Sequence, residues 1–301
     1  MLLTNGKFQG NDAGEMGAQV GFALIPILHQ PERHRALVIG LGTGQSAEVV
    51  RAAGYEEIEI AEISPGIVAA AREPFAEVNQ HVLEAPNVRL FLEDGRNHLL
   101  RTTRPYDLIT MEINSVWFAG ATNLYAREFY ELARSRLGPR GIFQQWVQLH
   151  HISPREVEST IATLRSAFPH VRVYFVGGQG ILVASSAPLS IDAPLQAELE
   201  TREALARDRE ALQRWTGSSI GDVASHLLLD ERETDRLLAT ASERGIPINT
   251  DGNRFLELST PRHNLEVAPH ALLVIEELLG YVDPGSREQR ARAAGLQPAN
   301  R

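Results

Sequence analysis

The sequence predicts an α/β fold built on a parallel sheet. Three observations carry that prediction: short β-rich runs alternate with amphipathic stretches of helical length from Arg35 onward, each run ends at a glycine or a polar residue, and the first opens into a glycine-rich turn that starts a helix. With 301 residues, 43% hydrophobic and 22% charged, the chain can bury a sizeable core in one large or two smaller domains. Twenty-nine Lys and Arg against thirty-eight Asp and Glu leave a formal charge of −9, which argues against a nucleic-acid partner or an anionic membrane surface. The absence of cysteine excludes disulfides, thiolate metal ligands and a cysteine nucleophile. No apolar run approaches the ~18 residues of a membrane helix. The N-terminus lacks the basic and apolar segments of a secretory signal, so a cytoplasmic location is expected.

In chain order, Asn5-Gly6 between Leu2-Leu3 and Phe8 predicts a small hairpin over residues 1–13. Strands follow at 36–39, 58–61, 88–92, 108–111 and 141–147, with helices at 45–53, 65–75, 97–100 and 126–136, two of them stopped by Gly54 and Gly138. Ser153-Pro154 opens a helix to Phe168, and 171–176 with 181–184 form an antiparallel hairpin around Gly177-Gly178-Gln179-Gly180. Residues 14–190 are therefore expected as one α/β domain. From Pro194 the composition turns to charged helix formers, predicting a helical extension over 191–285 with helices at 195–215, 219–229 and 230–244. The polar tail 286–301 is expected to be disordered.

The strongest chemical signal is Ala36-Leu-Val-Ile-Gly40-Leu-Gly42-Thr43-Gly44-Gln-Ser-Ala47. A tight turn and a close ligand approach both exclude a Cβ there. Glu62 ends the next strand eighteen residues beyond Gly44, where a carboxylate can accept from both hydroxyls of an adenosine ribose. The turn also satisfies the dinucleotide pattern G-x-G-x-x-A. Asp94-Gly95 closes the third strand with an acid for an adenine amino group, and Glu112 closes the fourth beside the place of a second substrate. Carboxylates converging on one crevice repel a pyrophosphate and suit a cationic sulfonium.

The succession Asn5-Gly-Lys-Phe-Gln9, Gln19, Pro26, the Gly40–Gly44 turn, Glu62-Ile63, Asp94-Gly95, Tyr106-Asp107-Leu-Ile and Leu124-Tyr125 before Phe129-Tyr130 resembles the spermidine synthases over about residues 1–190. These are aminopropyltransferases on a Rossmann-like, class I S-adenosylmethionine methyltransferase fold. Glu112 to Trp117, Gln145-Trp146-Val147-Gln148-Leu149, Asn249-Thr250-Asp251 and Pro261-Arg262 are similar to the soluble domain of bacterial spermidine synthase-like proteins often fused to a transporter-like membrane segment, which this sequence lacks. The resemblance implies that Gln9, Gln19, Glu62, Ile63, Asp94, Gly95 and the turn residues Gly40, Gly42, Thr43 and Gly44 hold decarboxylated S-adenosylmethionine or its methylthioadenosine product. It further implies that Glu112 is the base, that Asn114, Ser115 and Trp117 meet a small cationic amine, and that the protein dimerises. No metal is implied.

Three departures from the family pattern bear on the substrate. Thr43 replaces the aspartate that binds the aminopropyl ammonium, Ser115 stands where a second acid would grip a diamine, and Ala18 and Val20 flank Gln19 in place of a tyrosine-acid pair. A polyamine-contacting tyrosine aligns near Tyr174 or Phe175. Thr43 and Ser115 keep open a methyltransferase or other alkyl-transfer enzyme using intact S-adenosylmethionine, and a non-catalytic module that binds S-adenosylmethionine or a polyamine is the reading from another class. His150-His151 reads as surface or structural, Trp117-Phe118 equally as pocket wall or core, Asn249-Thr250-Asp251 as a turn, and 198–214 as a solvated helical face.

Overall fold

The computed structural model describes all residues except 1, 5–6, 12, 113–115, 117–119, 150, 263–269 and 297–301, together with the side chains of 3, 4, 7–9, 262 and 270. In chain order the strands among the described residues are β1 (Leu2–Thr4), β2 (Lys7–Gly10), β3 (Arg35–Ile39), β4 (Glu57–Glu62), β5 (Val88–Leu92), β6 (Tyr106–Met111), β7 (Leu137–Val147), β8 (His170–Val176), β9 (Gln179–Ser185) and β10 (Leu227–Leu229). The first four helices are α1 (Met16–Ile27), α2 (Gln45–Ala52), α3 (Pro65–Arg72) and α4 (Gly95–Arg101). The chain divides into two compact units that interleave along the sequence: Met1–Ile113 with Arg136–Gln145 and Ser190–Ala224, and Asn114–Ser135 with Trp146–Leu189 and Ser225–Arg301.

In the first unit β3 lies in the middle of a parallel sheet, flanked by β4 and then β5 on one side and by β6 and then the first part of β7 on the other. This is the parallel α/β arrangement the alternation predicts, and it agrees with the Rossmann-like fold that the resemblance implies. Every residue of β3 is buried, as a strand covered on both faces must be. The chain leaves β3 toward β4 and returns to β6 on the opposite side. The carboxyl ends of β3 and β6 therefore border the switch point where open α/β sheets bind their ligands. β1 and β2 pair antiparallel. The helices at Ala193–Thr201 and Ala206–Thr216 also belong to this unit, and the second lies close enough to α1 that a Cβ on Gly17 would stand 2.7 Å from the Trp215 Cβ.

The second unit contains the β8–β9 antiparallel hairpin in full register from His170↔Ser185 to Val176↔Gln179. Three expectations are corrected within residues 191–301. The expected single helix at 195–215 is broken by a 3₁₀ turn at Glu203–Leu205 between Ala193–Thr201 and Ala206–Thr216. The expected helix at 219–229 is one turn, Ile220–Val223, followed by β10, which pairs antiparallel with β8. Leu227-Leu228-Leu229 favours helix by propensity, and pairing along the edge of β8 overrides it. Part of the tail expected to be disordered is the helix Pro284–Ala293, with Pro284 in its first turn. Arg290 anchors it by donating to the Leu228 carbonyl at 2.8 Å and pairing with buried Glu233.

Candidate active site

The glycine turn after β3 is built by left-handed backbone. Gly42 and Gly44 have φ of 54° and 85°, and Gly44 is the N-cap of α2. A Cβ on Gly44 would lie 2.8 Å from the Asn79 amide nitrogen, whereas one on Gly42 would point into open space. Gly44 is thus required by the protein itself, and Gly42 leaves room for a ligand to approach the backbone. Gly40 donates its N–H to the Ala61 carbonyl at 2.9 Å, tying the turn to β4. Asn79, which the sequence reading did not single out, donates to the carbonyls of Thr43 and Ala71, each at 2.8 Å. It clamps the turn onto α3. No local pattern marks such a residue, because its partners are distant in sequence.

Glu62, at the end of β4, is buried, with one carboxylate oxygen accepting from the Leu41 N–H at 2.9 Å and the other from the Ser64 N–H at 2.8 Å. The carboxylate is fixed by backbone on both sides and keeps further lone pairs for a ligand hydroxyl. Ile63 beside it is 70% exposed and offers an apolar surface. Asp94 caps α4 by accepting from the Asn97 N–H at 2.9 Å. Gly95 is explained by packing, since a Cβ there would lie 2.4 Å from Cγ2 of Ile39.

Gln19, Thr43, Ser46 and Glu112 meet in one network. The Thr43 hydroxyl donates to the Gln19 side-chain oxygen at 3.0 Å, and Ser46 Oγ lies 2.7 Å from Glu112 Oε2 and 3.4 Å from the Gln19 carbonyl. Glu112 follows β6, its N–H donating to the Ile39 carbonyl at 3.1 Å. Burial pushes its carboxyl up to about 7, the Ser46 hydrogen bond holds it back, and the negative charge of Glu15 adds to the rise. Glu15, at the N-terminus of α1, is itself raised by burial. Sequence reasoning missed Ser46 and Glu15. Ser46 lay inside the quoted turn and Glu15 stands four residues before Gln19, one helical turn along the same face.

Gln9 lies in β2, with its side chain outside the described residues, as are Asn114, Ser115, Trp117, Phe118 and His150. In the second unit Tyr174 is buried, and Asn249 is spent structurally, donating to the Tyr125 carbonyl at 3.0 Å and accepting from the Leu256 N–H at 3.1 Å. Among the described residues no cluster of three His, Asp or Glu side chains is arranged to hold a metal ion, and no helix is long and apolar enough to cross a membrane. The network does fit a sulfonium nucleoside: open space over Gly42, an immobilised carboxylate at Glu62, and a half-buried carboxyl at Glu112 whose proton affinity lies near neutrality. Such a carboxyl can take a proton from an attacking amine and return it to water.

Residues 18–177 match the spermine/spermidine synthase domain. Over 271 residues the sequence is 28% identical to polyamine aminopropyltransferase 2 of Pseudomonas aeruginosa, covering 85% of this chain and 73% of that protein. Over 201 residues it is 28% identical to the polyamine aminopropyltransferase of Nitrosomonas europaea, covering 64% of this chain and 62% of that one. The fold is similar to that of the spermidine synthase from Thermotoga maritima, with a TM-score of 0.58 at 16% identity over 75% of each chain. It is also similar to a probable spermidine synthase from Corynebacterium glutamicum, with a TM-score of 0.52 at 20% identity over 81% of this chain and 82% of the other.

Proposed function

This chain belongs to the spermine/spermidine synthase family, and from that premise we propose that it moves an aminopropyl group from decarboxylated S-adenosylmethionine to a small cationic amine. The observation that carries the proposal is Glu112, a carboxyl at the end of β6 whose burial pushes it up to about 7 and which is held in place by Ser46. The acceptor nitrogen attacks the aminopropyl carbon bonded to sulfur. A C–N bond forms, the C–S bond breaks, and its electron pair stays on sulfur as neutral methylthioadenosine. Positive charge passes to the new ammonium, and Glu112 accepts the proton that leaves it. An amine of ordinary pKa ~10.4 is mostly protonated near neutrality, so the reaction needs such an acceptor.

In this reading Glu62 holds the ribose hydroxyls, Ile63 and Asp94 border the adenine, Gln19 and the turn residues Gly40, Gly42, Thr43 and Gly44 line the sulfonium end, and Asn114, Ser115 and Trp117 meet the amine. A homodimer and the narrower kinship with transporter-fused relatives belong to the same proposal and rest on the sequence resemblance, and a cytoplasmic location belongs to it as well. One observation favours a second reading. The buried Thr43 hydroxyl is committed to Gln19 and supplies no negative charge for an aminopropyl ammonium, which removes a reason to exclude the carboxylate of intact S-adenosylmethionine. Product analysis separates the readings. With decarboxylated S-adenosylmethionine and putrescine the proposal expects methylthioadenosine and a longer polyamine. Adenosylhomocysteine from intact S-adenosylmethionine would establish methyl transfer, and tight nucleoside binding with neither product would establish a binding module.

A further inference from the structure

We propose that Ser46 is a positioning residue that keeps Glu112 ionised as a base and satisfies it in both protonation states. The inference rests on the reading of Glu112 as the base. Ser46 lies in the first turn of α2 and is 3% exposed, so water does not compete for its hydroxyl. Its oxygen stands between two acceptors, Glu112 Oε2 at 2.7 Å and the Gln19 carbonyl at 3.4 Å, and a hydroxyl has one proton to give. While Glu112 is a carboxylate, the shorter contact takes that proton. Once Glu112 carries a proton, the carboxylic acid donates to Ser46 Oγ and the hydroxyl turns to the Gln19 carbonyl. Neither state leaves a buried polar group stranded, so a proton can arrive and leave without the cost of an unmade hydrogen bond.

Among the described residues, the groups that act on Glu112 come from two elements: Ser46 from α2, which stabilises the charged form, and Glu15 from the start of α1, which destabilises it. The two act with opposite sign, and that opposition is the signature to measure. Removing the hydroxyl in Ser46→Ala is expected to raise the acidic limb of the pH profile of kcat/KM by about one pH unit, costing about tenfold at pH 6 while sparing the alkaline plateau. Ser46→Thr, which keeps the hydroxyl, should restore the wild-type limb, and Glu15→Gln should move it down.

The same shifts should be read without turnover by carbon-13 NMR titration of the Glu112 carboxyl, assigned by its loss in Glu112→Gln, in variants whose circular dichroism matches the wild type. An unmoved titration in Ser46→Ala, or a loss of activity equal at every pH, would overturn the role of Ser46. If the wild type transfers no aminopropyl group and the titration still moves, the reading of the reaction falls and the Ser46–Glu112 linkage stands.

Discussion

Glu112 and Glu62 are both strand-end carboxylates, yet their surroundings differ, and the proposed function gives them different duties. Glu62 is satisfied by two backbone amides, whereas Glu112, among the described residues, has a single hydroxyl partner and is pushed by burial to about 7. Glu112→Gln is expected to cut kcat by roughly 10²–10⁴, the usual span of general-base catalysis, while calorimetry finds methylthioadenosine affinity within about threefold of wild type. Glu62→Ala should do the reverse, weakening nucleoside binding at least tenfold because it also unties Leu41 and Ser64. Equal loss of affinity in both variants would contradict this division of labour. The positions of both acids are legible in the sequence because the β/α alternation marks where strands end. Ser46, Glu15 and Asn79 are not, because their importance comes from what approaches them across the fold, and a polar residue on a helix gives no sign of that.

At the scale of elements, the carboxyl ends of β3 and β6 and the start of α4 are held together more tightly than composition suggests. Gly95→Ala would set a methyl group 2.4 Å from Ile39, overpacking of the kind that costs about 1–3 kcal/mol. Denaturant titration should show that loss, and combining it with Ile39→Ala, which removes the clashing Cγ2, should cost less than the two changes measured separately. Additivity of the two changes would show that the methyl is accommodated elsewhere. Gly95 was read in the sequence as a ligand contact, and the packing supplies a sufficient reason of its own for the glycine. The parallel strands and their helices follow from local periodicity. β10 and the helix Pro284–Ala293 do not, because one depends on the edge of β8 and the other on the ion pair of Arg290 with Glu233.

The molecule as a whole carries opposing pH dependences inside its first unit. Asp208, on the helix Ala206–Thr216, is 1% exposed, and burial followed by the nearby charge of Glu48 pushes it up to about 7. The folded state therefore holds this proton more tightly than the unfolded chain, and stability is lost as pH rises from about 4 toward 7. Glu59 runs the other way. Burial would raise it, but hydrogen bonds from His98, Tyr106 and Arg35 bring it down to about 2, so its contribution is present above about 4.5 and lost as pH falls toward 2. Asp208→Asn is expected to raise the unfolding free energy at pH 8, read by denaturant titration, by an amount on the order of 2–4 kcal/mol, and to gain much less at pH 4. A gain independent of pH would refute the assignment. The charge of −9 hints at none of this, because it counts carboxylates without saying which are buried.

The close approach of Trp215 to Gly17 also sets an order of events during synthesis. The unit that carries the glycine turn draws on residues up to Ala224. Its N-terminal stretch must leave the ribosome and wait roughly 10–40 seconds for the helix that covers α1, at ~5–20 residues added per second. Through that interval the small-residue face of α1 around Gly17 is bare. In a nascent chain stalled near residue 190, α1 should accordingly be open to protease, and in one stalled far enough beyond 224 to release the closing helix, cleavage within α1 should be suppressed.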